Sequence, residues 1–431
     1  MPFKHDAGLQ RGNLTAQDHV DRVVDLAYRH LDMDAALVSL FQDGRQVYRA
    51  GAGRMASFGA ELGSGPPLSD TLCARMVEGD IPHLIPDVAA DDRVSGLAAV
   101  TGRRIGAYVG VPVVLPDGEV YGCLCCLSHD AQPDLTVRDV KFLHMLSGLL
   151  TVELGNERQR QRQGDEIAGI LDRRELAIVL QPVVALATGR SPMLEALARF
   201  QIGSPDEVFA TADTVGLRIP LEELAVEVGL GMLRQLAPTQ ALAINVAPDV
   251  AIALSKGAFH DLPLDRIVME ITEHAAVSNY RELRQALDPL RVEGLRLAVD
   301  DAGAGFASLR HIVELAPDII KIDRSLVSGL EADRARRSVV TSLVVVALDL
   351  DAFVVAEGVE TWSELEAVTD SGVDAVQGYL LGRPSADPEQ LRRWTSGQPL
   401  LSLTDAGPGM PRCAGRDRPA GARSQLPVSP L

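Results

Sequence analysis

Two adjacent carboxylates, Asp300 and Asp301, close the apolar run Leu297-Ala298-Val299 and precede the turn Ala302-Gly303-Ala304-Gly305. Like charges side by side at a strand end raise each other's pKa unless a cation compensates. Hard divalent ions such as Mg²⁺ and Mn²⁺ prefer carboxylate oxygens, so the pair reads as a metal site. Standing alone, it would read as a solvated turn. It does not stand alone, because the second half of the chain repeats one pattern of a short apolar run ending in a polar residue.

In order, these ends are Glu195, Asn245, Glu270, the Asp300-Asp301 pair, Lys321, Glu357 with Glu360 close by, and Gln377. Segments of helical pattern lie between them, at 221–236, 281–290 and 338–348. Strands alternating with helices imply a parallel sheet, and about eight such units in roughly 220 residues suggest a (β/α)8 TIM-type barrel. The strand ends of such a barrel share one mouth, where active sites form. Glu195, Glu270, Asp300, Asp301 and Glu357 would bring five negative charges there, which Lys321 and two divalent ions balance to zero. Such a pair of ions activates a water and stabilises the oxygens of an in-line phosphoryl displacement. The set contains no Cys or His, which argues against structural zinc.

Glu195-Ala196-Leu197, with Arg199 two positions on, resembles the signature of the EAL family of cyclic di-GMP phosphodiesterases. Further elements resemble that family in its order: Gln181-Pro182-Val183-Val184, Ile244-Asn245-Val246, Glu270-Ile271-Thr272-Glu273, Asp300-Asp301-Ala302-Gly303-Ala304-Gly305, Lys321-Ile322-Asp323, Ala356-Glu357-Gly358-Val359-Glu360-Thr361 and Gln377-Gly378-Tyr379. The resemblance covers about residues 165–395 and implies hydrolysis of cyclic di-GMP to linear pGpG with Mg²⁺ or Mn²⁺, Ca²⁺ inhibiting. It implies that Glu195, Asn245, Glu270 and Asp300 hold one ion, and that Asp300, Asp301 and Glu357 hold or orient the second. Lys321 would position the water or phosphate, and Glu357 would be the general base. Arg199 suits a phosphate oxygen through its forked donors, while Gln181 and Gln377 would support the metal shell or the substrate. Glu273 and Glu360 would brace the loop after the Asp pair, which in the family reaches toward a dimer partner. Two departures fall in that loop, where Ala302 replaces the usual Phe and Ala304 the usual Thr. The competing class is a catalytically silent receptor for cyclic di-GMP, and a third reading is a barrel phosphodiesterase acting on another cyclic nucleotide.

Residues 1–155 have a different texture. Val20, Val23, Val24, Ala27 and Leu31 recur at helical spacing, 36–41 and 46–51 read as strands, and 107–115 and 120–128 read as a hairpin turning at Pro116-Asp117-Gly118. Thr136 with Asp139 resembles a capping box. This α+β order resembles a GAF sensory domain, a family that binds cyclic nucleotides, chromophores, haem, metabolites or another GAF domain, so the ligand stays open. Cys123, Cys125 and Cys126 share one strand, with Cys73 in a helix; alternation puts Cys123 and Cys125 on one face and Cys126 on the other. They read as small buried hydrophobes, with a metal or redox sensor as the alternative.

Residues 156–174 form a charged, helix-favouring linker suited to a signalling helix in a homodimer. The barrel is expected over 175–397, followed at 398–431 by a tail rich in Pro, Gly and Arg that reads as disordered. Five cysteines and no signal peptide point to a reducing cytoplasm, and no apolar run reaches the length of a membrane span. A net charge of −18 disfavours duplex nucleic acid as a partner.

Overall fold

The computed structural model describes residues 15–257, 259, 261–271, 279–303 and 306–401. They fall into two compact units that divide between Arg162 and Gln163. The expected tail at 402–431 lies outside the described residues.

The first unit opens with α1 (Ala16–Leu31), whose N-terminus is closed by reciprocal bonds between Thr15 and Asp18. Its Val20, Val23, Val24, Ala27 and Leu31 are buried, the stripe the sequence spacing predicts. The five strands are β1 (Ala35–Gln42), β2 (Arg45–Gly53), β3 (Leu84–Ile85), β4 (Ala107–Val114) and β5 (Val120–Ser128). They form one antiparallel sheet in the order β2-β1-β5-β4-β3. Alternation along β5 sends Leu124 and Cys126 into a core shared with α1, and Cys123, Cys125 and Leu127 into a second core on the opposite face. That second core contains α2 (Leu72–Glu78), and α3 (Ala98–Arg103) precedes β4.

Helix α4 runs unbroken from Val137 to Arg173. The Asp139 carboxylate accepts from the Thr136 backbone N–H at 2.7 Å at its start. The charged linker segment is thus the later part of one long helix. Its Glu157 pairs with Arg49 of β2 at 2.7 Å and its Arg158 with Glu119 at 2.9 Å, so these charges are tied down rather than merely solvated.

The second unit is a closed barrel of β6 (Ala177–Ala185), β7 (Met193–Arg199), β8 (Ala241–Val246), β9 (Ile267–Ile271), β10 (Arg296–Ala302), β11 (Ile319–Ile322), β12 (Phe353–Ala356) and β13 (Ala375–Gln377). Helices α5 (Pro205–Thr214), α6 (Arg218–Gly231), α7 (Pro248–Leu254), α8 (Tyr280–Val292), α9 (Phe306–Leu315), α10 (Arg324–Val327), α11 (Arg334–Asp349) and α12 (Trp362–Ser371) connect the strands, and α13 (Pro388–Thr395) follows. The TIM-like barrel is as expected, but the expectation of an all-parallel sheet is corrected. Strand β6 runs antiparallel to both β7 and β13, and the other neighbours are parallel. The connection from β6 to β7 is a short turn in which Gly189 takes φ 66°, whereas a parallel crossover needs about a dozen residues or more.

Two hydrophobic layers follow from the alternation of the strands. Val183, Met193, Ala243, Val268, Ala298, Ile319, Val355 and Ala375 fill the barrel interior. Leu194, Ile244, Met269, Val299, Ile320, Val354 and Val376 point outward into the larger core beneath the helices. Backbone packing at the barrel rim is tight enough to specify one residue: a Cβ on Gly378 would lie 2.1 Å from the Val359 carbonyl oxygen. Gly378→Ala should therefore lower the stability of the barrel by on the order of 3 kcal/mol, as overpacking does. Gly148→Ala, on an exposed turn of α4 with open space around it, should raise stability by roughly 0.5–1 kcal/mol. Urea unfolding followed by circular dichroism checks both; equal midpoints for the two variants would contradict the packing argument.

Candidate active site

Each polar residue of the repeated pattern sits two positions beyond an inward apolar residue of the same strand. Met193 leads to Glu195, Ala243 to Asn245, Val268 to Glu270, Ala298 to Asp300, Ile319 to Lys321, Val355 to Glu357 and Ala375 to Gln377. Strand β6 runs the other way, so its Gln181 stands two residues before Val183 and pairs in register with Glu195. Because side chains alternate with period two, the inward apolar layer forces all these groups into a single polar layer at one end of the barrel.

Lys321 occupies the centre of that layer and is almost fully buried. Its Nζ lies 2.6 Å from Glu357 Oε1, 2.8 Å from Glu270 Oε2, 3.1 Å from Asp300 Oδ1 and 3.6 Å from Glu195 Oε1. Glu195 is held from the other side by two amides: Asn245 Nδ2 donates to its Oε1 at 2.8 Å and Gln377 Nε2 to its Oε2 at 2.6 Å. Gln377 also donates to Gln181 Oε1 at 3.1 Å, and Gln181 donates to the Gly382 carbonyl at 3.0 Å. Asp301 takes the left-handed conformation, φ 52°, at the turn where β10 ends, and its N–H donates to Asp300 Oδ1 at 3.0 Å. Such a backbone costs about 1–3 kcal/mol for a non-glycine residue, and here it swings Asp301 out of strand alternation so that both aspartates join the layer.

The carboxylates form two groups that share Asp300. Oxygens of Glu195, Glu270 and Asp300 lie within 4.8 Å of one another, as do oxygens of Asp300, Asp301 and Glu357. One ammonium cannot neutralise them. Burial pushes the Glu270 carboxyl well above the ordinary range, and the neighbouring Glu195 and Asp300 charges push it further. Burial and Asp300 do the same to Glu357. Burial also opposes ionisation of Glu195, but Lys321 and the amides of Gln377 and Asn245 outweigh it and hold this carboxyl below its ordinary value. Burial opposes the charge of Lys321 as well, yet Asp300 and the three glutamates raise it far above a free lysine. Glu270 Oε1 and Gln377 Oε1 are buried without any hydrogen-bond partner. An orphaned carboxylate oxygen facing an excess of negative charge fits a cation, and the all-oxygen donor set with two amides fits a hard divalent ion.

Arg199 lies on the same face of β7 as Glu195, four residues further on, and its Nη1 donates to the Ala198 carbonyl at 2.7 Å. It stands apart from the carboxylate groups. Glu360 pairs with Arg324 of α10 at 2.9 Å, bracing the segment around Gly358. Glu273 and Ala304 lie outside the described residues, and Ala302 is fully buried at the end of β10. The sequence motif contains Tyr379 but gives it neither a role nor a partner. Tyr379, just beyond Gln377, is about half exposed and has the Arg383 guanidinium 4.3 Å from its ring centre. An exposed aromatic directly after a site-bearing strand is the signal that marks it.

A family model described as the EAL domain matches residues 161–384. The chain belongs to the EAL domain family. A second model, described as a GAF domain, matches residues 13–154, so a GAF domain precedes the barrel. The cyclic di-GMP phosphodiesterase NbdA of Pseudomonas aeruginosa is 29% identical over 269 residues, covering 58% of this chain and 34% of NbdA. The probable cyclic di-GMP phosphodiesterase PdeN of Escherichia coli is 29% identical over 272 residues, covering 58% of this chain and 52% of PdeN. The chain thus spans about a third to a half of the length of these relatives. An EAL enzyme solved in a cAMP-bound form shares the fold at 19% identity, with a TM-score of 0.50 over 84% of this chain and 93% of that one. Among the described residues, no helix is long and apolar enough to cross a membrane.

The crowding of the EAL site sets a sign for its response to pH. Glu270 and Glu357 have raised folded pKa values, so the metal-free fold binds protons more tightly than the unfolded chain. Their contribution to stability is fully present below the unfolded glutamate value of about 4.3 and is lost as pH rises through their raised folded values. Glu195 acts in the opposite sense, but it is one group against two. With chelator present, the melting temperature of the barrel should fall as pH rises through this window. Saturating Mg²⁺ or Mn²⁺ should stabilise most at the high-pH end, because ligand carboxylates must be ionised. A metal-induced shift in Tm that is the same at every pH would contradict this reading of the layer.

Proposed function

We propose that the chain hydrolyses cyclic di-GMP to linear pGpG at the mouth of its EAL barrel, using two divalent ions of the Mg²⁺ or Mn²⁺ type. The observation that carries this reading is the pair of three-carboxylate groups sharing Asp300 beside an orphaned Glu270 oxygen. The activity named for NbdA and PdeN supplies the substrate. Glu195, Asn245, Glu270 and Asp300 would hold one ion, and Asp300, Asp301 and Glu357 the other. Bound divalent ions supply an activated water and stabilise charge on the phosphoryl oxygens.

The chain's own residues do the rest. Lys321 keeps Glu270, Asp300 and Glu357 oriented toward one centre, where bound ions would share their charge. Its Nζ, 2.6 Å from Glu357 Oε1, then serves the attacking water or a phosphate oxygen. Glu357, the carboxylate whose affinity for a proton burial has raised, accepts the proton of that water. Arg199 offers forked donors to a phosphate at the rim. Tyr379 offers a flat face for a purine, held in place by Arg383, an arrangement worth about 1–3 kcal/mol per stacked base in nucleic-acid sites. The GAF domain regulates the barrel through α4 in a homodimer by shifting it between two arrangements, as ligands do only through differential affinity.

Three outcomes are expected from chromatography of products formed from cyclic di-GMP and Mn²⁺. Wild-type protein yields pGpG, whereas Asp300→Asn and Glu195→Ala lose nearly all turnover while keeping part of their nucleotide binding. Tyr379→Ala raises KM by roughly tenfold, about 1.4 kcal/mol, with little change in kcat. Removing residues 1–150 changes the rate without changing metal dependence. Substrate bound tightly but never cleaved, at any Mg²⁺ or Mn²⁺ concentration, would favour the silent-receptor reading instead. Ca²⁺ should inhibit, since its longer bonds and looser geometry hold the water less tightly.

A further inference from the structure

The GAF domain contains a second cluster of metal-ligating side chains with a different donor set. Cys123 and Cys125 project from β5 onto the face opposite Cys126, and Cys73 of α2 meets them there. The three sulfur atoms lie within 4.8 Å of one another, and all three thiols are buried. Around one ion, Zn–S bonds of about 2.3 Å set thiolates about 4 Å apart, inside this spread.

Small apolar thiols would need no polar company, but this cluster has it. Tyr108 is fully buried, and its hydroxyl lies 3.7 Å from Cys73 Sγ. That hydroxyl occupies space which a Cβ on Gly110 would invade, at 2.2 Å. Gln46 is 97% buried, comes within hydrogen-bond reach of Cys73, and its Oε1 has no hydrogen-bond partner. Gln46, Tyr108, Cys73, Cys125 and Arg103 line one cavity of about 30 Å³. That space admits a water or a single ion. Pairing two of the thiols as a disulfide would strand the third, while one cation satisfies all three.

We propose that the GAF domain binds one thiophilic cation, Zn²⁺ or Cu⁺, through Cys73, Cys123 and Cys125, with the orphaned Gln46 oxygen available as a fourth donor. Thiolate ligands select such ions over the hard Mg²⁺ and Mn²⁺ of an oxygen site. With Zn²⁺, three thiolates leave one net negative charge, which the Arg103 guanidinium on the cavity wall offsets. With Cu⁺ the trigonal sulfur set suffices, and Gln46 is not needed.

The test uses reduced, metal-stripped, full-length protein in saturating Mg²⁺, so that the carboxylate groups of the barrel are occupied. Anaerobic titration with Cd²⁺ should produce a thiolate-to-cadmium ultraviolet band that saturates at one equivalent. Carboxylates cannot generate this band. Zn²⁺ or chelator-buffered Cu⁺ should then bleach it, and whichever ion competes at the lower free concentration identifies the cargo. Cys73→Ser and Cys125→Ser should lose the band, while Cys126→Ser, on the other face of the same strand, should retain it. Should the serine variants fail to fold by circular dichroism, Gln46→Leu provides the second measure, with Zn²⁺ affinity at least tenfold lower and the cadmium band intact. The proposal is overturned if no band appears at one equivalent, or if the band survives in folded Cys73→Ser and Cys125→Ser. Unchanged Zn²⁺ affinity in Gln46→Leu would remove the oxygen donor and leave a three-sulfur site.

Discussion

The ammonium group of Lys321 sits where four carboxylates converge, and the EAL barrel is organised around that one uneven ion cluster. Removing an ammonium from water costs several kcal/mol even after relaxation. Contacts between 2.6 and 3.6 Å to Glu357, Glu270, Asp300 and Glu195 more than offset this, as the raised pKa of the lysine shows. The carboxylates remain in excess. A protein evolved only for stability would replace such a cluster with well-packed apolar side chains at little cost. Retaining it makes sense where something else supplies the missing positive charge, and protons do so in the absence of ions, through the raised affinities of Glu270 and Glu357.

Strand alternation explains why so much of this site was legible from sequence. A polar residue two positions beyond an inward apolar residue must point into the barrel, so reading the ends of seven apolar runs amounted to reading one layer. Asp301 breaks that rule and still belongs to the layer, because its left-handed backbone turns it inward. Where alternation fell silent, so did the sequence. The reversed direction of β6 is fixed by the shortness of a turn, which motif order does not weigh. Tyr379 and Arg383 meet through loop geometry beyond the last strand. Glu360 shows a partner, Arg324, that no local spacing suggests, since the two sit after different strands of the barrel.

The same period of two sorts the GAF sheet into its two cores and divides the β5 cysteines between them. Sequence reading placed Cys123 and Cys125 on one face and named Cys73 of a helix beside them, but it could not supply their contact or bring in Gln46 and Tyr108, which arrive from β2 and β4. Sulfur at this cluster and oxygen at the barrel mouth are chemically separate, so the two sites would draw on different ions from the same solution.

Helix α4 gives the two units a shared element that buries apolar side chains in each of them. Its Glu157 and Arg158 are anchored to Arg49 and Glu119 of the GAF domain through partly exposed ion pairs, each worth at most about 1 kcal/mol and weakened by salt. Its Ile167 and Ile170 are buried with Val208, Ala212 and Leu221 of α5 and α6, a contact that depends on excluded water and not on charge. The GAF half of the helix is also buried, through Leu143, Leu146, Leu150 and Leu154 in the core shared with α1, so apolar packing holds both halves and the ion pairs add little to it. The unbroken backbone from Val137 to Arg173 therefore joins two apolar anchors, one within each unit.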